Sequence, residues 1–379
     1  MKRVQITADT VGPVARGHPW VYPDGLKSPV ALGDLVELVD PRGKTVGFGI
    51  GDEGAIGVRV LGREPEALAT IFRSRLSAAV ARRQLVGGET DAYRVCNGEG
   101  DGLPGIVLDR YADVYVLRLY SKAWERHLSG LVEAIIEVVR PRTLFRRFGV
   151  ASVDERQGGE VLRGPAPPET LIVHEHGMKL LVRVRDGQKT GMFLDQREHR
   201  KLIRGWSAGR DVVNLFAYNG GFSAAAALGG AKRVTTVDIA AKALDDAREI
   251  FRLNGIDPAL HAFEAVDAFG WPGPKSDLVI VDPPSLTKGK SADNAARQAY
   301  KGLHRHVTAY ATDLVATASC TARLPWERWE EAVREGLGGT WASLHRSAEP
   351  TDHPVAMGHP EGRYLKFMLL GRLGGPRNS

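Results

Sequence analysis

At 379 residues and 43% apolar content the chain has room for two or three packed domains, and no apolar run reaches the roughly 18 residues a membrane span needs. The opening MKRVQITADT has no apolar core behind its basic residues, and the only two cysteines, Cys96 and Cys320, carry no metal-ligand spacing. No secretory leader, membrane contact, disulfide framework or metal site is therefore expected, and a reducing cytoplasmic setting is. Lys and Arg exceed Asp and Glu by 51 to 45, a net charge of +6 that suits a polyanionic partner and equally suits a solvated basic surface.

Residues 1–62 read as a β domain, with GDLVELVD, KTVGFGIG and AIGVRVLG as strands bent by glycine. Trp20 and Tyr22 in GHPWVY (17–22) suit either base stacking or anchoring of a core. Gly43-Lys44-Thr45 imitates the end of a phosphate-binding loop, but Leu38 stands where that loop needs its first glycine. The spacing of Leu68, Ile71, Phe72, Leu76 and Val80 predicts a connector helix over 63–86. From 92 the chain reads as a glycine- and acid-rich loop, a strand at 113–120, a helix at 128–140, a strand at 143–148 and two more at 170–184. That is an α+β module, with Cys96 incidental within it. The domains expected are thus 1–62, 63–185 and 186–379.

The third region opens with GQKTGMFLDQREHR (187–200), where Gln188, Lys189 and Thr190 belong to a polar cluster fit to cap a sheet, to form a lid or to seat a cofactor's amino acid end. Eight Lys or Arg against three Asp or Glu between 183 and 210, and the cluster Arg140, Arg142, Arg146 and Arg147, concentrate the basic excess. VVNLF (212–216) then feeds a tight turn at Tyr218, Asn219, Gly220 and Gly221, and the alanine-rich run after it predicts a helix. A second strand ends at Asp238, 18 residues beyond Gly220, where a carboxylate accepts hydrogen bonds from two ribose hydroxyls. The loop AYNGGF lacks the G-x-G-x-x-G of a pyrophosphate cradle, which points to S-adenosylmethionine. Phe216, Tyr218, Asn219, Gly220, Asp238, Asp267 near adenine and Asp282 of DLVIVDPPS are the expected cofactor contacts.

A fifth strand, DLVATASC, ends at Cys320. Ligands of open α/β sheets bind at the carboxyl ends of the strands, so Cys320 and Asp282 are expected to face one cleft. A cysteine there is often only a small hydrophobe. As a nucleophile it would answer a specific need: carbon 5 of a pyrimidine attacks a methyl donor only after a thiolate has added to carbon 6, with a nearby acid, here Asp282, binding or protonating ring nitrogen 3.

VVNLFAYNGGFS, VDPPS, TASCT and GQKTGMFLDQR, with GHPWVY, GDGLPGIVLDRY and DHPVAMGHPEGRYLK, resemble the bacterial 23S rRNA cytosine-C5 methyltransferase I family over nearly the whole chain. The resemblance implies a PUA domain, a central α+β domain, and a seven-stranded Rossmann-like methyltransferase sheet with RYLKFMLLGRL (363–373) as its last, antiparallel strand. It further implies S-adenosylmethionine as donor, 23S rRNA as partner, Cys320 as nucleophile and a homodimer. The chain departs from the family where AYATDLVATASC lacks a Pro-Gly-Gly turn before the fifth strand, and where HRHVTAY (304–310) brings two histidines. Two other readings stay open on the residues: transfer to another target, such as a guanine nitrogen or a small molecule, and a non-catalytic RNA-binding protein.

Overall fold

Glycine decides the shape of the first sheet. A Cβ at Gly49 would lie 2.3 Å from the carbonyl oxygen of Arg59, and one at Gly51 the same distance from that of Ala31, so strand Thr45–Gly51 approaches its neighbours as only glycine permits. The computed structural model describes residues 1–150, 153–154, 156–286 and 292–374. It divides into two units: Met1–Val173 with Val182–Leu194 and Thr351–Gly362, and His174–Leu181 with Asp195–Pro350 and Arg363–Ser379.

In the first unit, Lys2–Gln5, Leu35–Val39, Thr45–Gly51, Val58–Gly62 and Trp20–Val21 make one five-stranded sheet in that spatial order. A second runs Gly159–Arg163, Thr143–Arg147, Val114–Leu119, Ile106–Tyr111 and Ala92–Asn97. Helices Leu68–Arg83 and Leu128–Val139 contribute Ile71, Phe72, Leu76, Leu131 and Ile135 to its core, where Cys96 is fully buried. The segment read as an opening loop therefore holds two strands. They are tied by Arg94 and Asp109, paired across the sheet at 2.8 Å, and the glycines and acids form a short 3-10 turn, Gly98–Asp101, between them.

The second unit is a parallel sheet closed by an antiparallel pair: β1 (Asp211–Leu215), β2 (Arg233–Asp238), β3 (Ala262–Ala265), β4 (Ser276–Val281), β5 (Ala311–Ser319), β6 (Trp341–Ser347) and β7 (Lys366–Arg372), in the order β3-β2-β1-β4-β5-β7-β6. Helices α1 (Arg197–Trp206), α2 (Gly221–Leu228), α3 (Ala241–Leu253), α4 (Ala292–Val307) and α5 (Trp326–Leu337) intervene. Buried on both faces, β1 and β4 are largely apolar, and β2 buries Thr235 and Thr236 between Val234 and Val237. Chain order reverses between β1 and β4, and the crevice at their carboxyl ends is the switch point where such sheets take ligands.

Part of each basic stretch is spent inside the protein. Arg146 is 2% exposed and pairs with Glu125 and Glu160, and Arg147 donates to the carbonyls of Val184 and Gly187. Arg197 is wholly buried and Arg183 pairs with Glu169. Arg140, Arg142, Arg185, Lys189 and Lys201 stay exposed, so the positive charge is divided between internal order and open surface. Arg200 illustrates the stakes: it is buried and bidentate on Glu175, at 2.6 and 2.5 Å, with its aliphatic stem 3.1 Å from where a Cβ on Gly221 would sit. Breaking such a pair strands a buried charge. Arg200→Met is expected to lower the urea-unfolding free energy by about 3–5 kcal/mol, and the double variant with Glu175→Leu to recover most of that loss.

Candidate active site

The turn after β1 is held in an unusual backbone. Phe216, Tyr218 and Gly220 all have left-handed φ, at 56°, 50° and 75°, and only the last is glycine. Two such non-glycine residues cost of order 1–3 kcal/mol each, so their surroundings must hold them. Asp238 at the end of β2 does so: its carboxylate accepts from Tyr218 N at 2.7 Å and from Ala240 N at 2.9 Å. Asn219 donates to the Leu181 carbonyl at 3.2 Å, and Ser223 at the head of α2 bonds Asn214 of β1 and Thr236 of β2, each at 2.9 Å. Gly220 is required twice over, by its φ and because a Cβ would lie 2.7 Å from that of Ala247.

Beside Asp238 lies an apolar shelf that the sequence reading missed. Ile239 is 74% exposed and Phe269 45%, Val266 is exposed as well, and the Phe269 ring meets that of Phe216 edge-on at 5.1 Å. Large apolar side chains left open at a sheet's carboxyl edge signal a ligand. Asp267 is exposed next to this shelf, and its side chain accepts from Phe269 N at 2.9 Å.

Asp282, at the end of β4, is reached through a one-way hydrogen-bond chain. Gln196 Nε2 donates to Asp282 Oδ2 at 3.0 Å, which turns its amide oxygen to His199 Nδ1 at 2.5 Å; His199 Nε2 lies 3.0 Å from Ser347 Oγ, itself 3.0 Å from His345 Nε2. A carboxylate only accepts, so the direction propagates: His199 donates through Nδ1 and accepts through Nε2. Burial lowers the His199 pKa to about 3 and keeps it neutral, and its ring stacks on Phe367 at 4.1 Å. Gln196, read from the sequence as part of a lid or cofactor seat, is here the partner of Asp282.

Cys320 follows β5 directly and is half-buried. Hydroxyls surround the loop that carries it. Tyr300 Oη of α4 donates to Ser319 Oγ at 2.9 Å and lies 3.4 Å from Thr321 Oγ1, which is 3.5 Å from Ser285 Oγ in the Asp-Pro-Pro loop. Burial pushes the Tyr300 phenol up to about 12, with Cys320 and Asp282 acting in the same direction, which sets all three in one electrostatic neighbourhood. The histidines of HRHVTAY are structural: His304 donates to the Tyr300 carbonyl at 2.7 Å and meets Thr317 Oγ1 at 2.8 Å, and His306 lies 2.6 Å from the Trp271 carbonyl.

Gln188, Lys189 and Thr190 belong to the first unit. Within it Thr190 is 2% exposed, and its hydroxyl is bonded to Asp109 at 2.6 Å and Tyr111 at 2.8 Å. Gln188 and Lys189 are exposed, with the Lys189 ammonium over the Phe193 ring. Among the described residues no cluster of His, Cys, Asp and Glu could hold a metal, and no helix is long and apolar enough to cross a membrane.

Comparison with known proteins gives this geometry its family. Residues 142–354 match a family described as S-adenosylmethionine-dependent methyltransferases, and residues 4–63 match a PUA-like domain. A Deinococcus radiodurans protein named ribosomal RNA large subunit methyltransferase is 37% identical over 93% of both chains. The chain belongs to the large-subunit ribosomal RNA methyltransferase I family. Ribosomal RNA large subunit methyltransferase I of Escherichia coli K12 is 32% identical, over 93% of this chain and 94% of its own. A solved structure from Streptococcus mutans, described as a SAM-dependent methyltransferase, has the same fold, with a TM-score of 0.87 at 24% identity over 98% of this chain and 100% of its own.

The residues at the sheet edge fit the donor this family uses. Asp238 offers a fixed carboxylate suited to a ribose diol, Ile239 and Phe269 offer apolar faces suited to adenine, and Asp267 offers an acceptor for its amino group. Asp238→Ala is expected to weaken S-adenosylmethionine binding about 10–100-fold by calorimetry, as loss of two charge-assisted hydrogen bonds implies. The buried histidines predict acid sensitivity. Burial holds His199 at about 3 and His304 at about 4, against an unfolded value near 6.5, so the unfolded chain binds protons that the folded site refuses. Their stabilisation is complete above that unfolded value and is lost as pH falls toward 4. Urea unfolding at pH 7 and pH 5 should differ by about 2 kcal/mol per histidine, and His304→Asn should reduce the difference.

Proposed function

We propose that this protein transfers a methyl group to carbon 5 of a cytosine in 23S rRNA, with Cys320 as the covalent nucleophile. The observation that supports this best is the pairing of a thiol and a carboxylate at the carboxyl ends of neighbouring strands β5 and β4, at the edge that carries the Asp238 turn. Transfer to a nitrogen or an oxygen needs no thiol there. The relatives' names favour large-subunit ribosomal RNA as the substrate, and the PUA-like domain suits an RNA partner.

On this reading the Cys320 thiolate adds to carbon 6 of the ring, and the electron pair of the 5,6 double bond is displaced toward carbon 5. S-adenosylmethionine, when bound, supplies the electrophilic methyl that carbon 5 takes. A base then removes the carbon-5 proton, the double bond re-forms, and the carbon–sulfur bond breaks to return the thiolate. Asp282, oriented by Gln196, faces the polar edge of the ring, where the adduct's charge is spread over nitrogen 3 and its neighbours. The hydrogen bonds of Tyr300 Oη to Ser319 and Thr321 tie down the residues on either side of the thiol.

The test uses the full-length protein with methyl-labelled donor and unmodified 23S rRNA, followed by digestion and identification of the labelled nucleoside. Wild type should yield 5-methylcytidine and Cys320→Ala none, a loss of at least about 10³-fold, as removing a covalent nucleophile implies. Label in guanosine, or 5-methylcytidine formed by Cys320→Ala, would overturn the assignment.

A further inference from the structure

Lys366 is the first residue of β7 and a charged one in an apolar strand, KFMLLGR. It is only 5% exposed, and lysine is almost never buried without a compensating partner. In register it stands opposite Ser319, the residue before Cys320, and directly paired residues of neighbouring strands send their side chains to the same face. The Ser319 side chain on that face meets Tyr300 of α4. The Lys366 ammonium curls over the loop and donates to the carbonyl of Thr321, the residue after Cys320, at 3.0 Å and to that of Tyr364 at 3.1 Å. The residue after the thiol is therefore fastened to a buried cation, and the residue before it stands opposite the same lysine in the strand ladder.

Two neutral carbonyls do not balance a buried ammonium. We propose that Lys366 is a positioning residue whose ammonium holds Cys320 in the thiolate form and fixes the loop that aims it. The inference rests on the reading of Cys320 as nucleophile and supplies the charge that reading needs. Among the described residues, Asp282 from β4 and Cys320 both act on Tyr300 of α4, Glu349 from the segment after β6 and Cys320 both act on Lys366, and the hydroxyls of Ser285, Ser319 and Thr321 line the loop that carries the thiol. Asp282 disfavours a second negative charge nearby, and Tyr300 is held neutral. Glu349 is engaged with the backbone, its Oε1 accepting from Tyr364 N at 2.6 Å and Leu365 N at 2.9 Å. Burial lowers the Lys366 pKa while Glu349 and Cys320 oppose the fall, the mark of an ammonium held by negative partners. Thiolate formation releases the thiol proton to solvent, so the resting site carries sulfur and ammonium as a pair, ready for addition to carbon 6.

Alkylation measures this without RNA or donor. Cys96 is fully buried, and burial raises its thiol far above the ordinary range, so iodoacetamide reports Cys320, identified by peptide mass. Rates are taken from pH 5.5 to 9.5 for the full-length wild type, Lys366→Met and Lys366→Arg. Loss of a cation beside a thiolate predicts about a tenfold slower reaction for Lys366→Met at pH 7, with the rate–pH curve displaced to the alkaline side, and a Lys366→Arg curve within about twofold of wild type. A Lys366→Met curve that superimposes on wild type overturns the proposal, and so does Lys366→Arg falling as far as Lys366→Met.

Should Lys366→Met unfold, seen as alkylation of Cys96, Glu349→Gln decides. It keeps the cation, removes a competing carboxylate and should speed Cys320 alkylation about threefold at pH 7. No change, or a slower reaction, contradicts the pairing. An unshifted curve in an enzyme whose Cys320→Ala variant is inactive removes the ion pair alone. A shifted curve in an enzyme whose Cys320→Ala variant still methylates removes the nucleophile reading and leaves the pair.

Discussion

One hydrogen bond organises the site: the backbone N–H of Tyr218 given to the Asp238 carboxylate at 2.7 Å. It joins the turn after β1 to the end of β2 and engages Tyr218, one of two non-glycine residues with left-handed backbone there. With the turn so fixed, Gly220 starts α2 against Ala247 of α3, and the Phe216 ring meets Phe269. If Asp238 is the ribose acceptor, as its place suggests, that carboxylate is held by the scaffold itself, which is preorganisation in a literal sense. The strain of the turn is compensated by Asp238 and by the Ser223 bonds to β1 and β2.

The parallel half of the sheet was legible because strands buried on both faces are rich in apolar and β-branched residues, and β1, β2, β4 and β5 stand out between glycine, Asp and helix-forming runs. Edge elements were not. β6 leaves Ser343, Leu344 and Arg346 exposed, so its composition resembles a loop. Helix Ala8–Ala15 is hidden by Gly12 and Pro13 within it, and strands Ala92–Asn97 and Ile106–Tyr111 by charged residues that pair across the sheet. Each case is tertiary pairing overriding a local signal.

At the site, the acidic residues were legible because their places at strand ends follow from topology, whereas their partners were not. Gln196 and Lys366 act over 86 and 45 residues of separation, on Asp282 and Thr321, and no local spacing announces such contacts. A lysine inside an apolar strand is the one faint sign Lys366 gives in the sequence. The basic run before β1 is divided in its use. Arg200 is consumed by Glu175, and Arg204 and Arg210 are tied to nearby carbonyls, while Arg185, Lys189 and Lys201 stay exposed, a division that linear charge density does not reveal.

Trapping the adduct tests the central claim most directly. An RNA carrying 5-fluorocytidine in place of cytidine has no carbon-5 proton to lose, so methylated adduct cannot collapse and the enzyme stays attached. With donor present, a denaturation-resistant protein–RNA complex should form and digest to a peptide bearing the nucleotide on Cys320. A complex mapped to any other residue, or none at all from an enzyme that still methylates ordinary RNA, would contradict the account.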